Sequence, residues 1–537
     1  MTAKEATPRG PFDAIVIGSG IAGMTTAAAL AFTGGRVLVL ERHFQPGGCT
    51  QTFRRRAFEW DVGVHLLGAA HERADWYLQL MALSGGKIGF EHVGPVTDRI
   101  SFPGLEIDVP PTFDEYGQVL ANLFPGERDG IHAYLAEVAG IHAGVRGYFG
   151  VSAAPRPLTL LARHTVLRGS HRAATTTTER MMTRFVADER LKDVLDAQWL
   201  NIGMPRRESS FLAHATALGY YLDGGGYYPR GGASVFARDL GRTVEDAGGA
   251  IRLGADVDRV LVRRGRAAGV ALADGEEIPA ELVVSAIGIN TTYGRLLRDE
   301  PRADAERAEV SKLRLAYEYM NLFVGLDVSV EEFGIGRENR WIHGDWNTSE
   351  DVPWNLADDE RDRGPKVLCL NSSSLRDPTA REGRHGHCLQ AVFIGAQGVT
   401  DRWAHTTWRA RSDDYLAWKE LVASRLIALL DRRFPGIAGH VAHAEISSPL
   451  TYRFFTAHAG GVPFGVAVVP GRFRARSLRP QSPIGGLYLC GQDCVMPGVA
   501  AAFGSAILCS SLIRRRNMSS LLRREGRALL GIRRSAG

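Results

Sequence analysis

The chain is poor in cysteine, with six in 537 residues, and none of them falls in a Cys-x-x-Cys or at metal-ligand spacing with histidine. That sets aside a disulfide framework and a Cys/His metal site, and no metal is expected; reduced thiols in a cytoplasmic setting are the simplest expectation. An excess of one charge is also missing. Lys plus Arg number 64 against 59 for Asp plus Glu, a formal net charge of +5. This is too little and too scattered for a nucleic-acid partner. No apolar run is clean enough for a membrane span. The stretch 487–513 carries only Asp493 as a charge, but Gln492, Pro497 and three glycines interrupt it. Met1 to Pro11 is polar and lacks the apolar core of a secretory signal. The remainder, 45% hydrophobic and 23% charged, is ordinary globular composition, and the length suits two domains.

What is present begins at Asp13. Ala14 to Ile17 is an apolar run of the kind buried on both faces of a sheet. It enters Gly18-Ser19-Gly20-Ile21-Ala22-Gly23, then the Ala-rich helical run Met24 to Thr33, then a second apolar strand, Arg36 to Leu40, ending on Glu41. Gly18 allows the tight turn, Gly20 admits a pyrophosphate, and Gly23 lets the helix pack on the strand. The helix start offers free N–H groups to phosphate, and Glu41 stands where a carboxylate can accept from a ribose. This is a dinucleotide site. After the acid come Arg42 and the turn Pro46-Gly47-Gly48, which resembles the start of glutathione-reductase-like flavoproteins and implies FAD rather than a nicotinamide.

Downstream, Phe58, Trp60 and Val62 alternate as a strand, broken at Gly63 close to His65. From Trp76 to about Tyr228 the pattern turns helical, with stretches at Gly117 to Leu123, His132 to Ile141 and Glu179 to Trp199, the last behind a threonine cap within Thr175 to Thr178. A glycine-rich loop, Gly224 to Gly232, precedes a helix at Val235 to Ala247. Strands are expected at Ala250 to Leu253, Asp256 to Arg263, Ala267 to Leu272 and Glu277 to Ser285. Between Asn290 and Pro480, strands are expected at Tyr319 to Leu326, Lys366 to Leu370 and His387 to Phe393, and a helix at Ser412 to Asp431. The aromatics Phe323, Trp341, Trp346, Trp354, Phe393, Trp403, Trp408 and Trp418 fit either core packing or the wall of a long apolar pocket. The last cofactor piece is Gly491-Gln492-Asp493, with Gly498 and Val499 opening a second small-residue helix. Asp493 is placed to bond the ribityl or pyrophosphate region, and the helix dipole to favour negative charge on a reduced flavin. Arg514 to the end holds eight arginines, one acid and interleaved leucines. It reads either as a solvated tail or as a basic amphipathic segment on an anionic membrane surface.

With those landmarks the chain resembles the phytoene desaturase, carotenoid isomerase and retinol saturase family of flavoproteins, nearest the retinol saturase side. The resemblance rests on the glycine turn with Glu41, Pro46-Gly47-Gly48, and Phe58 to His65. It continues through Ala197-Gln198-Trp199, Tyr228 to Gly232, Ser448 to Arg453, and Gly491 to Asp493 with Gly498. It implies an α/β, two-domain Rossmann-like FAD fold with a discontinuous substrate domain. FAD segments are expected at 10–75, 225–295 and 481–513, substrate segments at 76–224 and 296–480, and the basic tail at 514–537. Val257 would lay its backbone against the adenine. The implied activity is FAD-dependent chemistry on a carbon–carbon double bond of a long apolar polyene, most simply saturation by hydride. Desaturation, cis-trans isomerisation, amine oxidation and non-catalytic ligand binding are the alternatives. A proton donor is sought at His65 or Tyr452, with Arg453 holding the flavin or its loop. No second Gly-x-Gly-x-x-Gly serves a nicotinamide, so an external electron donor or acceptor (a protein, a quinone or oxygen) is implied. The protein is expected in the cytoplasm, with the option of peripheral residence on a membrane.

Overall fold

The computed structural model describes residues 11–347, 349–350, 353–356, 363–380 and 386–532. All but Pro11 of the polar leader, and Arg533 and Arg534 of the tail, lie outside the described residues.

Three distant parts of the chain supply one parallel sheet. Its order is Ala250–Arg252, Val37–Leu40, Ala14–Ile17, Val283–Ser285, Leu487–Leu489, with every neighbouring pair parallel. Alternation explains why these strings are apolar throughout. Val16, Val37 and Val39 pack under the helices Ile21–Phe32, Val235–Asp246 and Val499–Arg514, while Ile15, Ile17, Leu38 and Leu40 pack against the antiparallel sheet containing Val257–Arg263 and Arg266–Leu272. The run Glu277 to Ser285 is two strands rather than one. Glu277–Pro279 closes the antiparallel sheet and Val283–Ser285 joins the parallel one, because Pro279 cannot continue a ladder.

The second unit is a seven-stranded sheet, ordered Val441–Ser447, Tyr319–Leu326, His387–Ile394, Val367–Asn371, Asn339–His343, Asp98–Phe102, Leu105–Val109. Helix Asp413–Arg433 covers one face through Val422, Leu426 and Leu430. A helical layer including Phe113–Leu123, Arg128–Gly150 and Phe211–Leu222 covers the other. The expected helix Glu179 to Trp199 is broken into Thr178–Met182, Glu189–Leu195 and a short turn at Trp199–Asn201. Asp188 accepts the backbone N–H groups of Arg190 and Leu191 and so starts a new helix where a continuous one was read.

The tail is an ordered helix, Met518–Leu529, with Met518, Leu522 and Gly526 buried. A Cβ on Gly526 would lie 1.9 Å from the Leu78 carbonyl oxygen, so the helix is seated directly on helix Asp75–Ser84. Met518 and Leu522 are therefore spent inside the protein, while Leu529 stays 51% exposed. Among the described residues no helix is long and apolar enough to cross a membrane. The α/β class with a discontinuous second unit is the fold expected from the sequence.

Candidate functional site

The carboxyl ends of the parallel strands open onto one cavity, the binding edge such a sheet provides. It runs from the glycine turn to the seven-stranded sheet.

At the near end, Gly18 has φ +95° and a Cβ there would stand 2.6 Å from Ile287 Cγ2; at Gly23 a Cβ would meet the Gly18 carbonyl oxygen at 1.9 Å. Both glycines are forced by strand–helix approach. A Cβ on Gly20, by contrast, would meet nothing within 4 Å, and the space belongs to the cavity. The helix starting after Gly20 and the one starting after Gly498 both lack a side-chain cap, and both starts line the cavity. Their first N–H groups and positive dipole ends are left for an anion. A pyrophosphate fits that arrangement, so the residues present suit FAD.

Glu41 is buried, with 7% of its surface exposed. One carboxylate oxygen accepts from the backbone N–H (2.9 Å) and hydroxyl (2.6 Å) of Ser19, and the other from the His43 N–H at 2.8 Å. The Ser19 hydroxyl oxygen in turn accepts the Gly47 N–H at 3.1 Å. Ser19 and Gly47 therefore knit the two glycine turns together, and they and Gly23 are not in the wall, whereas Gly18, Ile21, Ala22, Arg42, Gly48 and Val257 are. Arg42 donates to the Phe454 carbonyl at 2.8 Å. The Val257 carbonyl accepts from Arg295 at 3.1 Å, and Arg295 also pairs with Asp256 at 2.8 Å.

On the far side of this end, Gly491, Gln492 and Asp493 line the cavity with Gly498 and Val499. The sequence places Asp493 to bond the ribityl or pyrophosphate region of the cofactor. Its two oxygens accept the N–H groups of Ile289 (2.9 Å) and Val466 (3.0 Å), which leaves each oxygen one further acceptor position. Gln492 donates to the Pro463 carbonyl at 2.7 Å. Sequence reasoning missed Arg472. This buried guanidinium donates to the carbonyls of Val466, Gln492, Asp493 and Val495 and so pins the whole turn. No motif around Arg472 signals that role.

The other end of the cavity is built by periodicity. In strand Tyr319–Leu326 the odd positions Tyr319 and Asn321 face the cavity, and Leu322 and Val324 face the opposite core. Ala213, Thr216, Ala217 and Tyr220 form one face of helix Phe211–Leu222 and supply the opposite wall. The hydroxyls of Tyr319 and Tyr221 are tied to the carbonyls of Leu200 (2.5 Å) and Leu66 (3.2 Å). The carboxylates among the described lining residues are Glu41, Asp256 and Asp493, all of them at the glycine-turn end. Of the eight aromatics weighed as pocket wall, only Trp341 among the described lining residues is in it. Phe393 and Trp354 face the opposite core, Trp403 and Trp418 pack on Tyr415, Phe323 on Phe53 and Trp60, Trp346 on Phe102, and Trp408 on Phe454.

His65 and Tyr452 both line this cavity. Burial, reinforced by the Arg376 guanidinium, lowers the His65 pKa to about 4, so the ring is neutral at pH 7. Arg376, fully buried, also donates to the His65 carbonyl at 2.8 Å. Burial raises the Tyr452 phenol, against which the hydrogen bonds from Asn321 and Ser447 act. The Asn321 amide donates to the Tyr452 oxygen at 2.5 Å, and its own oxygen is held by Gln390 at 3.0 Å. Arg453 is exposed and outside the lining of the cavity.

The profile of a family described as flavin containing amine oxidoreductase matches residues 21–513. The all-trans-retinol 13,14-reductase of Macaca fascicularis is 30% identical over 95% of this chain and 87% of its own length. The chloroplastic prolycopene isomerase of Daucus carota is 26% identical over 93% of this chain and 79% of its own. Among solved structures, an oxidoreductase from Methanosarcina mazei superposes with a TM-score of 0.61 at 17% identity, covering 93% of this chain and 99% of the other, which speaks for the fold.

Proposed function

The chain belongs to the flavin containing amine oxidoreductase family and is an FAD-dependent oxidoreductase, and from that premise we propose that it acts on a carbon–carbon double bond of a long apolar polyene of the carotenoid or retinoid type, reducing it. The observation that carries this reading is the inner wall of Tyr319, Trp341, Tyr220 and their neighbours, which holds no carboxylate among the described residues. A cationic amine would be desolvated there without a counter-charge, at a cost of several kcal/mol. A conjugated chain loses nothing by the same move and gains area burial and ring contacts. The names of the relatives, a retinol reductase and a prolycopene isomerase, point the same way.

Bound FAD supplies hydride chemistry. The chain's own part is to exclude water, hold the polyene in register and furnish a proton. Tyr452 is the better donor of the two candidates. Its oxygen accepts from Asn321 and lies in the cavity wall, and a phenol carries a proton it can give. His65 is neutral and would have to give up an imidazole N–H, a far weaker acid than a phenol. Electrons come from a separate donor, because no second dinucleotide turn is present in the sequence. Desaturation or cis-trans isomerisation would use the same cavity. The test is turnover of holoprotein with a chemical reductant against all-trans-retinol, a carotenoid and a primary amine. Loss of conjugated absorbance with either polyene is expected; oxidation of the amine alone overturns the reading.

A further inference from the structure

From Val151 to Thr178 the sequence contains no Asp or Glu, but four arginines (Arg156, Arg163, Arg168, Arg172) and two histidines. The structure turns part of this stretch inside out. In helix Arg156–His164 the threonine, Thr159, is buried and bonded to the Val151 carbonyl at 2.7 Å, while the leucines face outward. Leu158 is 57% exposed, Leu160 54%, Leu161 61%, and Val166 in the following turn 83%. Single exposed leucines are ordinary, but four large apolar side chains within nine residues, in a segment whose only charged side chains are cations, are not.

The cations are crowded. Arg156 and Arg163 press on Arg479, and Arg163, His164 and Arg474 press on His171, each lowering the neighbour's proton affinity alongside burial. Arg172 pairs with Glu137 at 3.2 Å, and among the described residues the other three arginines of the segment have no carboxylate partner. The segment is nevertheless anchored. Arg479 and Gln481 donate to the carbonyls of Ser152, Ala153 and Ala154, and Arg163 lies over the Tyr148 ring at 4.8 Å. Behind it, helices Arg128–Gly150 and Arg168–Ala174 pack on helix Phe211–Leu222, whose other face lines the cavity. The exposed leucines thus stand one helical layer from the proposed substrate.

We propose that the surface formed by helix Arg156–His164 and the turn to Arg168 docks on an anionic phospholipid membrane. Leucines at the acyl boundary with arginines at headgroup level are the chemistry such a surface recognises. A second copy of this chain does not fit, since a two-fold contact would set arginine against arginine. The basic C-terminal residues are repelled in the same way. The proposal differs from the sequence expectation, which put membrane contact at 514–537, and it stands whether or not the substrate is a polyene.

The experiment is co-sedimentation of FAD-loaded protein with vesicles of phosphatidylcholine alone or with about one third phosphatidylserine. We expect binding to the serine-containing vesicles that weakens with salt. Leu158→Ser/Leu161→Ser should lower it by at least tenfold, and Arg156→Gln/Arg168→Gln by roughly 25-fold, at about fivefold for each arginine. All four side chains are exposed, so flavin content and melting temperature should not move. The tail variant Arg524→Gln/Arg527→Gln should bind as wild type. The proposal is overturned by absence of binding at low salt, by either surface variant binding as wild type, or by loss of binding in the tail variant. A dimer in solution that the leucine variant dissolves would assign the surface to a second copy instead.

Discussion

Replacing Glu41 by alanine tests how the nucleotide end is held. The carboxylate is the acceptor for two backbone donors, the N–H groups of Ser19 and His43, and for the Ser19 hydroxyl. Ser19 is fully buried, so its N–H cannot turn to water. The hydroxyl can rotate, but then it no longer holds its place for the Gly47 N–H. Two orphaned backbone donors at about 1–3 kcal/mol each amount to roughly 2–6 kcal/mol. That is a large share of the stability of an ordinary domain, about 5–15 kcal/mol. Glu41→Gln is the informative partner. Its amide oxygen can keep both Ser19 bonds, but its NH₂ then faces the His43 N–H, donor against donor, so one bond is lost instead of three. Flavin retained per polypeptide after gel filtration, FAD titration of the apoprotein and urea midpoints give the readout. We expect a graded order, wild type above Gln above Ala, in both affinity and midpoint. Wild-type flavin content in Glu41→Ala, or identical losses in both variants, would refute the reasoning.

Other outcomes follow from the same geometry. Arg472→Leu leaves four carbonyls of the Val466–Val495 region without their buried donor, and should release FAD, read as loss of flavin absorbance in purified protein. Tyr452→Phe should slow turnover by about 10²-fold or more while leaving polyene affinity unchanged, in line with loss of a general acid; His65→Gln should change the rate by less than tenfold, as single-turnover kinetics will show. Stability should fall on acidification. His65 and His343 have folded-state values lowered by burial to about 4 and about 3, from 6.5. The unfolded chain therefore binds the extra protons, and their contribution, complete above pH 6.5, is lost as pH falls toward 4 and 3. Each contributes a slope of about 1.4 kcal/mol per pH unit in that window. His343→Gln, which gives up stacking on Phe102 at 4.1 Å, should flatten the fall of the urea midpoint between pH 6.5 and 4.

The parallel sheet was legible because its constraints are local. A tight turn after Ile17 needs Gly18, and the close helix start needs Gly23, so the pattern survives in the residue string itself. The strand Tyr319–Leu326 was legible for the same reason, being an apolar run with a clear start and end. The inner wall was not. Tryptophan content suggested which aromatics would line it, but the face a side chain takes depends on register across the sheet. Phe393 and Val392 are adjacent, and the small residue, not the ring, faces the cavity. Arg376 and Arg472 were invisible for a related reason. Each bonds to backbone carbonyls, and carbonyls carry no sequence signature. The tail helix failed in the opposite sense. Its amphipathic pattern was real, but the apolar surface that answers it, helix Asp75–Ser84, lies some 440 residues away.

The central claim, that this flavoprotein reduces a polyene and does not oxidise an amine, is tested most directly by anaerobic mixing in both half-reactions. Reduced protein mixed with all-trans-retinol or a carotenoid should regain the oxidised flavin spectrum, with one product heavier by two hydrogens for each flavin. Oxidised protein mixed with a primary amine should stay oxidised. Bleaching of the oxidised flavin by the amine, with no reoxidation of the reduced protein by either polyene, would contradict the account.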